Sequence, residues 1–389
     1  LSPFIQVIGE EIMLSMDAEL ALNSDDSQQS LSALCQRARE VRDAHWGRQV
    51  TYSRKVFIPL TNMCRDTCGY CTFVKTPDSG EARLMTPDQV LHTVLQGQNM
   101  GCKEALFSLG EQPEKRHKLA RELLAEQGHT STVDYLRDMA ELVLQHSLLT
   151  PHINAGALSY QELQILKPVA GSMGMMLESL SPALTKKGGA HYGCPDKTPQ
   201  RRLETLQAAG ELGIPFTTGL LIGIGESWHE RLASLIEIER LHQKYGHIQE
   251  VIIQNFRAKA GTAMSDHPEP SKQDMLRTLA AARIILSPDI SLQAPPNLEQ
   301  DYHDYLAAGI NDWGGISPLT KDFINPERAW PQIARLAEKC HSAGYALKER
   351  LTVYPNYQVN NQASASLAES RICSQASVDG LAKLQAHAV

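Results

Sequence analysis

The stretch "KVFIPLTNMCRDTCGYC", residues 55–71, runs from a block of apolar residues into three cysteines, Cys64, Cys68 and Cys71, spaced C-x3-C-x2-C. The apolar block reads as a strand, and its near-continuous hydrophobicity suits a parallel sheet covered on both faces. Seven further runs of this kind follow: "EALFSL" (104–109), "LLTPHIN" (148–154), "SMGMMLE" (172–178), "PFTTGLLIG" (215–223), "EVIIQNF" (250–256), "DISLQA" (289–294) and "GINDW" (309–313). Helices with readable ends lie between them. Thr86 precedes Pro87, Ser159 has Glu162 three residues on, Thr198 precedes Pro199 and Ser271 opens another, while Gly101, Gly213 and Gly246 stand at stops. Eight strand–helix units predict an α/β fold, a closed eight-stranded (β/α) TIM-type barrel, with a doubly wound sheet as the alternative. In a barrel the loops after the strands gather on one face, so the cysteines are expected at the catalytic end.

At 389 residues the chain is long enough to bury a substantial core. With 37 basic and 44 acidic residues, a net charge of -7, it carries no nucleic-acid footprint and no polybasic membrane anchor. No basic, apolar leader opens it and no run approaches the roughly 18 apolar residues of a membrane helix. The expectation is a cytoplasmic enzyme acting on a small molecule. Cys35, Cys102, Cys194, Cys340 and Cys373 are scattered, which does not resemble a disulfide framework. Leu31, Leu34, Ala38 and Val41 recur at helical spacing before Gly47, so residues 1–50 are expected as a helical extension, 51–357 as the barrel, and the Ser-, Ala- and Gln-rich 358–389 as a flexible tail.

Three clustered thiols are one short of a closed zinc site, and no second cysteine pair follows to complete it. Zinc stays open on spacing alone. Soft thiolates this close also suit an iron–sulfur cluster, and three protein ligands leave one iron free for catalysis. With Tyr70 directly before Cys71, the C-x3-C-x-aromatic-C stretch resembles the signature of radical S-adenosylmethionine enzymes. The resemblance implies a 4Fe-4S cluster on Cys64, Cys68 and Cys71, with S-adenosylmethionine on the fourth iron, cleaved to a hydrogen-abstracting 5′-deoxyadenosyl radical. It implies further cofactor contacts. "LGE" (109–111) is similar to the family's Gly-Gly-Glu element through Gly110 and Glu111, and Glu178 ends the fourth run where relatives hold a carboxylate. "GLLIGIGE" (219–226) matches G-x-I-x-G-x-x-E, with Leu221 in the isoleucine place and Gly223, Gly225 and Glu226 near the adenine. As a dinucleotide fingerprint from Gly223 it fails at Trp228, while a plain tight turn stays open.

Segments spread over residues 50–357, among them "HYGCPDKTPQRRLETLQAAGELGIPFTTGLLIGIGE" (191–226), "QAPPN" (293–297) and "GINDWGGISPLT" (309–320), resemble the FO synthase family, in its first-subunit (CofG-type) branch. Cys194 stands where that family usually has serine, and Phe323 where it often has histidine. The resemblance implies that a hydroxybenzyl adduct of a ribityl-amino-uracil arrives from a CofH-type subunit, with a low-potential donor supplying electrons. Ring closure, with loss of ammonia and oxidation, then yields the deazaflavin FO. Polar groups near strand ends that suit such a substrate are Asn154, Asn255, Arg257, Gln293, Asn311 and Asp312, with Trp313 for stacking and His191 for proton transfer. For each polar group a loop cap or a solvated position is the plainer alternative, and for Trp313 the barrel core. Other readings are the tyrosine-adding CofH-type half, a menaquinone-pathway relative, or an iron–sulfur carrier without chemistry of its own.

Overall fold

A computed structural model describes residues 20–21, 24, 27–358 and 366–383. The expected runs form eight parallel strands: β1 (Gln49–Pro59), β2 (Glu104–Ser108), β3 (Thr150–Asn154), β4 (Ser172–Gly174), β5 (Phe216–Ile222), β6 (Ile248–Asn255), β7 (Ser291–Gln293) and β8 (Asp312–Ile316). Each pairs with the next, and β1 pairs with both β2 and β8, which closes the barrel. Every residue of β5 is buried, Thr217 and Thr218 included, as a strand covered on both faces requires. Helices cover the outside, and their starts fall where caps were expected: the Thr86, Ser159, Thr198 and Ser271 side chains each accept a backbone N–H of the first turn. Among the described residues no helix is long and apolar enough to cross a membrane.

Four features depart from the sequence reading. A further strand, β9 (Ala346–Glu349), lies beside the first half of β1, with Gln49 opposite Ala346 and Tyr52 opposite Glu349. Its half-exposed, charged sequence carries no strand signature of its own. The eighth strand was expected over 309–313 and instead spans Asp312–Ile316, because Gly314 and Gly315 continue it beyond Trp313. In the helix Gln28–Trp46 the buried stripe is Leu31, Leu34, Ala38 and Arg42 rather than Val41. Arg42 donates to the carbonyls of Ile310 (2.7 Å) and Leu306 (3.2 Å), which offsets the cost of burying its charge. Finally, the reading of 358–389 as a flexible tail is corrected over 366–383. There Ser366 and Glu369 form a capping box for the helix Leu367–Gln375, which buries Ala368 and Ile372, and Arg371 donates to the carbonyls of Ser147 and Leu144. Polar composition concealed those two apolar anchors.

Candidate active site

The loop after β1 brings Cys64, Cys68 and Cys71 to the wall of one cavity of about 220 Å³, shared with Tyr70, Gly110, Glu111 and Glu178. Cys64 is buried, and its Sγ accepts the backbone N–H of Glu111 (3.1 Å) and of Asp66 (3.3 Å). Gly110 is the contact point between the second strand's loop and the cysteine loop. A Cβ there would lie 2.1 Å from the Met63 carbonyl oxygen and 2.7 Å from Cys64 Cβ, so only glycine fits. Burial pushes the Cys64 and Cys71 thiols up, so ionised sulfur there needs a cation against it. Three thiols around one space, one of them already cradled by two N–H groups, fit an iron–sulfur cluster. A bare ion wants a tighter set. Among the described residues the metal-capable atoms within 4.8 Å of one another belong to Asp66, Cys68 and Cys194.

A belt of ion pairs surrounds the cysteines. Glu178, buried and held at φ 66°, pins its backbone to β5 through Gly219 O and Leu221 N. Its carboxylate accepts from Tyr70 OH (2.6 Å) and Lys197 Nζ and lies 2.8 Å from His191 Nε2. Despite burial, Lys197 and His191 hold this carboxyl well below its usual range, and the same pairing raises Lys197. Glu111 accepts from Arg202 (2.9 Å) and the backbone of Ala157 (2.8 Å). Burial nevertheless raises the Glu111 carboxyl, and burial beside Glu111 pushes Asp66 up to about 6. The belt offers carboxylates to an amino group or a hydroxyl, and Lys197 and Arg202 to a carboxylate.

Residues 58–238 match the Radical SAM superfamily. The chain is 48% identical over 378 residues to the FO synthase of Mycobacterium tuberculosis (strain ATCC 25618 / H37Rv), covering 93% of this chain and 44% of that protein. It is 47% identical over 321 residues to the 7,8-didemethyl-8-hydroxy-5-deazariboflavin synthase of Methanopyrus kandleri, covering 82% of this chain and 96% of that protein. The chain belongs to the FO synthase family. It spans less than half the length of the mycobacterial members it matches. In fold it is similar to the hydrogenase maturase HydG from Carboxydothermus hydrogenoformans (TM-score 0.72, 18% identity, 95% of this chain and 87% of the other). It is also similar to the methylornithine synthase PylB (TM-score 0.66, 18% identity, 88% and 97%).

This FO synthase family chain distributes the other expected site residues unevenly. Asn154, Asn255 and Arg257 line the cysteine cavity, although Arg257 is engaged with Glu269 (2.6 Å) and with the Asn255 amide oxygen (3.1 Å). Gln293 lines a second cavity of about 180 Å³ inside the barrel. That cavity shares Ser108, Asn154, Met176 and Gln254 with the first, so the two adjoin across one layer of side chains. Asn311 and Asp312 are not at the catalytic end. The shifted eighth strand puts them at its start, where Asn311 accepts from Arg283 (2.6 Å) and Asp312 pairs with Arg350 (2.7 Å). Trp313 is fully buried and donates to Cys340 Sγ (3.2 Å) in the helical layer, which is the packing role that was the plainer of its two readings. His191 stands behind Tyr70 and Glu178, outside the cavity lining.

Gly223 (φ 85°) and Gly225 (φ 114°) make the expected tight turn after β5. The Glu226 carboxylate folds back to accept Gly223 N (2.8 Å) and Ile224 N (2.9 Å) and pairs with Arg231 (2.7 Å), so it shapes the turn and does not face the cavity. Cys194 is buried with its Sγ 3.8 Å from Cys68 Sγ, and Phe323 lies in a separate surface groove with Pro59 and His92. Lys197 and Arg202 escaped the sequence reading. They belong to "DKTPQRR" (196–202), a basic helix start that looks like any solvated surface, and only the three-dimensional pairing with Glu178 and Glu111 marks them.

Proposed function

We propose that this chain carries out the deazaflavin-forming half of FO synthesis. It would act on the 4-hydroxybenzyl adduct of a ribityl-amino-uracil, close the third ring with a net two-electron oxidation for which S-adenosylmethionine, cleaved to 5′-deoxyadenosine and methionine, is the oxidant, and release ammonia, as a carbon–nitrogen lyase. A CofH-type subunit would supply the adduct, and a low-potential donor the electron. The observation that carries this reading is the pair of adjoining cavities, one walled by Cys64, Cys68 and Cys71 and one inside the barrel beneath it. Likeness to the Methanopyrus deazariboflavin synthase over nearly that protein's whole length supports it. With a 4Fe-4S cluster and S-adenosylmethionine bound at the cysteines, the site gains hydrogen-atom abstraction from an unactivated or benzylic carbon. The chain's own residues do the rest. Glu178, fixed by Tyr70, His191 and Lys197, stays ionised and presents an acceptor to an amino or hydroxyl group. Asp66, at about 6, and Glu111 offer nearby sites where a proton can rest. The barrel walls hold the adduct beneath the cysteines and exclude water.

The test is an anaerobic assay of the reconstituted, reduced protein with S-adenosylmethionine. The adduct should give FO fluorescence, and tyrosine plus ribityl-amino-uracil should not. The reverse pattern would assign the tyrosine-adding reaction, and absence of 5′-deoxyadenosine in both arms would remove radical chemistry altogether.

A further inference from the structure

The barrel interior is layered. Along β1 the inward side chains run Lys55 then Phe57, along β2 Glu104, Leu106 and Ser108, and along β6 Glu250, Ile252 and Gln254. The lowest layer is charged, the middle one apolar, and the top one polar and shared with the cysteine cavity. Below, the space is closed: Arg350, on the segment after β9, pairs with Glu250 (2.8 Å) and Asp312 (2.7 Å), and Tyr354 OH donates to Glu250 (2.9 Å). A ligand therefore enters from the catalytic end, where Pro295, Leu298, Asp322 and Trp330 of the loops after β7 and β8 line the same cavity.

The floor is built to receive polar atoms. Gln293 is 7% exposed and Lys55 6% exposed, yet among the described residues the Gln293 amide has no hydrogen-bond partner and Lys55 Nζ has only Glu104 (2.7 Å). His152 uses Nδ1 on Ser172 (2.7 Å), which leaves Nε2 without a partner, and burial lowers its pKa to about 4, so it stays neutral. Two glycines make room for these groups. A Cβ on Gly314 (φ 71°) would lie 1.9 Å from Gln293 Nε2, and one on Gly315 would lie 2.2 Å from Lys55 Cε. These groups face the cavity, so water must satisfy them until a ligand that supplies both donors and acceptors takes its place. Charge restricts that ligand. The cations Lys55 and Arg350 already face Glu104, Glu250 and Asp312, so an anionic group gains nothing there and must lose its water. Neutral hydroxyls, each donor and acceptor at once, match the set.

We propose that this floor, formed by Lys55, Glu104, His152, Glu250 and Gln293, is a polyol subsite that takes the ribityl chain of the substrate. The substrate's rings then stand between Phe57, Leu106 and Ile252, and its aryl end faces the cysteine loop. This rests on the functional reading above and adds to it an orientation and a specificity. Two or three hydrogen bonds of ordinary strength correspond to a preference of about 30- to 150-fold for a ribityl over a hydroxyethyl chain, of which at least tenfold should survive competition from water.

The test compares kcat/KM for the ribityl adduct and its hydroxyethyl analogue in the wild-type protein and in Gln293→Leu, with Lys55→Met as a second variant. In parallel, calorimetry measures binding of ribityl-amino-uracil, its hydroxyethyl analogue and its 5′-phosphate to the same reconstituted proteins. The expected results are an at least tenfold preference for the ribityl ligand, its collapse toward parity in both variants, and at least tenfold weaker binding of the phosphate. Equal handling of the ribityl and hydroxyethyl ligands by the wild-type protein, an undiminished preference in both folded variants, or tight binding of the phosphate would overturn the proposal. If the chain formed no FO, the functional reading would fall, while the calorimetry would still decide the floor.

Discussion

Cys194 and Cys68 differ in what they can be asked to do, although their sulfurs lie 3.8 Å apart. The Cys194 thiol donates toward Cys68, which lowers the Cys68 thiol and raises Cys194 itself, so Cys68 is the sulfur prepared to ionise. Cys68→Ala is therefore expected to abolish the visible absorption and bound iron of the reconstituted protein. Cys194→Ser, which keeps a donor at that point, is expected to retain the iron content within about twofold, since a hydroxyl replaces the thiol bond at similar strength. An iron count on the two variants checks both. At this scale the sequence was informative where residues lie close along the chain: the cysteines, Tyr70 and Gly110 sit beside recognisable neighbours. It was silent on Lys197, Arg202 and His152, because their meaning comes from partners 19, 91 and 20 residues away.

Among the elements, the turn after β2 and the strap after β9 set the site's shape from opposite ends. Gly110→Ala places a methyl against the Met63 carbonyl, so the cysteine loop must move. The expected outcome is a protein that folds, by circular dichroism, but takes up little iron. Arg350→Met removes the cation shared by two buried carboxylates and is expected to cost about 3–5 kcal/mol in urea unfolding. A cost below about 1 kcal/mol would mean that Glu250 and Asp312 find other partners. Strand existence was legible from apolar runs, and seven of the eight expected runs overlap the strands in place. The eighth slipped because glycine is read as a breaker, whereas Gly314 and Gly315 are strand residues kept small by Gln293 and Lys55. That slip of three residues moved Asn311 and Asp312 to the wrong end of the barrel. β9 was invisible because an exposed, charged edge segment has no apolar period to detect.

Across the whole molecule, buried neutral histidines tie stability to pH. Burial lowers both His152 and His247 to about 4 from 6.5. Between those values the unfolded chain takes up protons that the folded chain refuses, so stability is full above about pH 6.5 and declines as pH falls toward 4. Urea midpoints measured from pH 7.5 to 4.5 should fall steadily, and His247→Gln, remote from the cysteines, should flatten part of that slope; a midpoint independent of pH across the window would contradict this. The pairing of β1 has a different consequence, one of timing. Its residues 49–59 meet β8 at 312–316 and β9 at 346–349, contacts that span some 260 to 300 positions. During synthesis the first strand must wait for most of the chain to be made before its seam can close. Nascent chains halted before residue 346 should thus remain protease-sensitive, and protection should arrive late and abruptly instead of accumulating strand by strand.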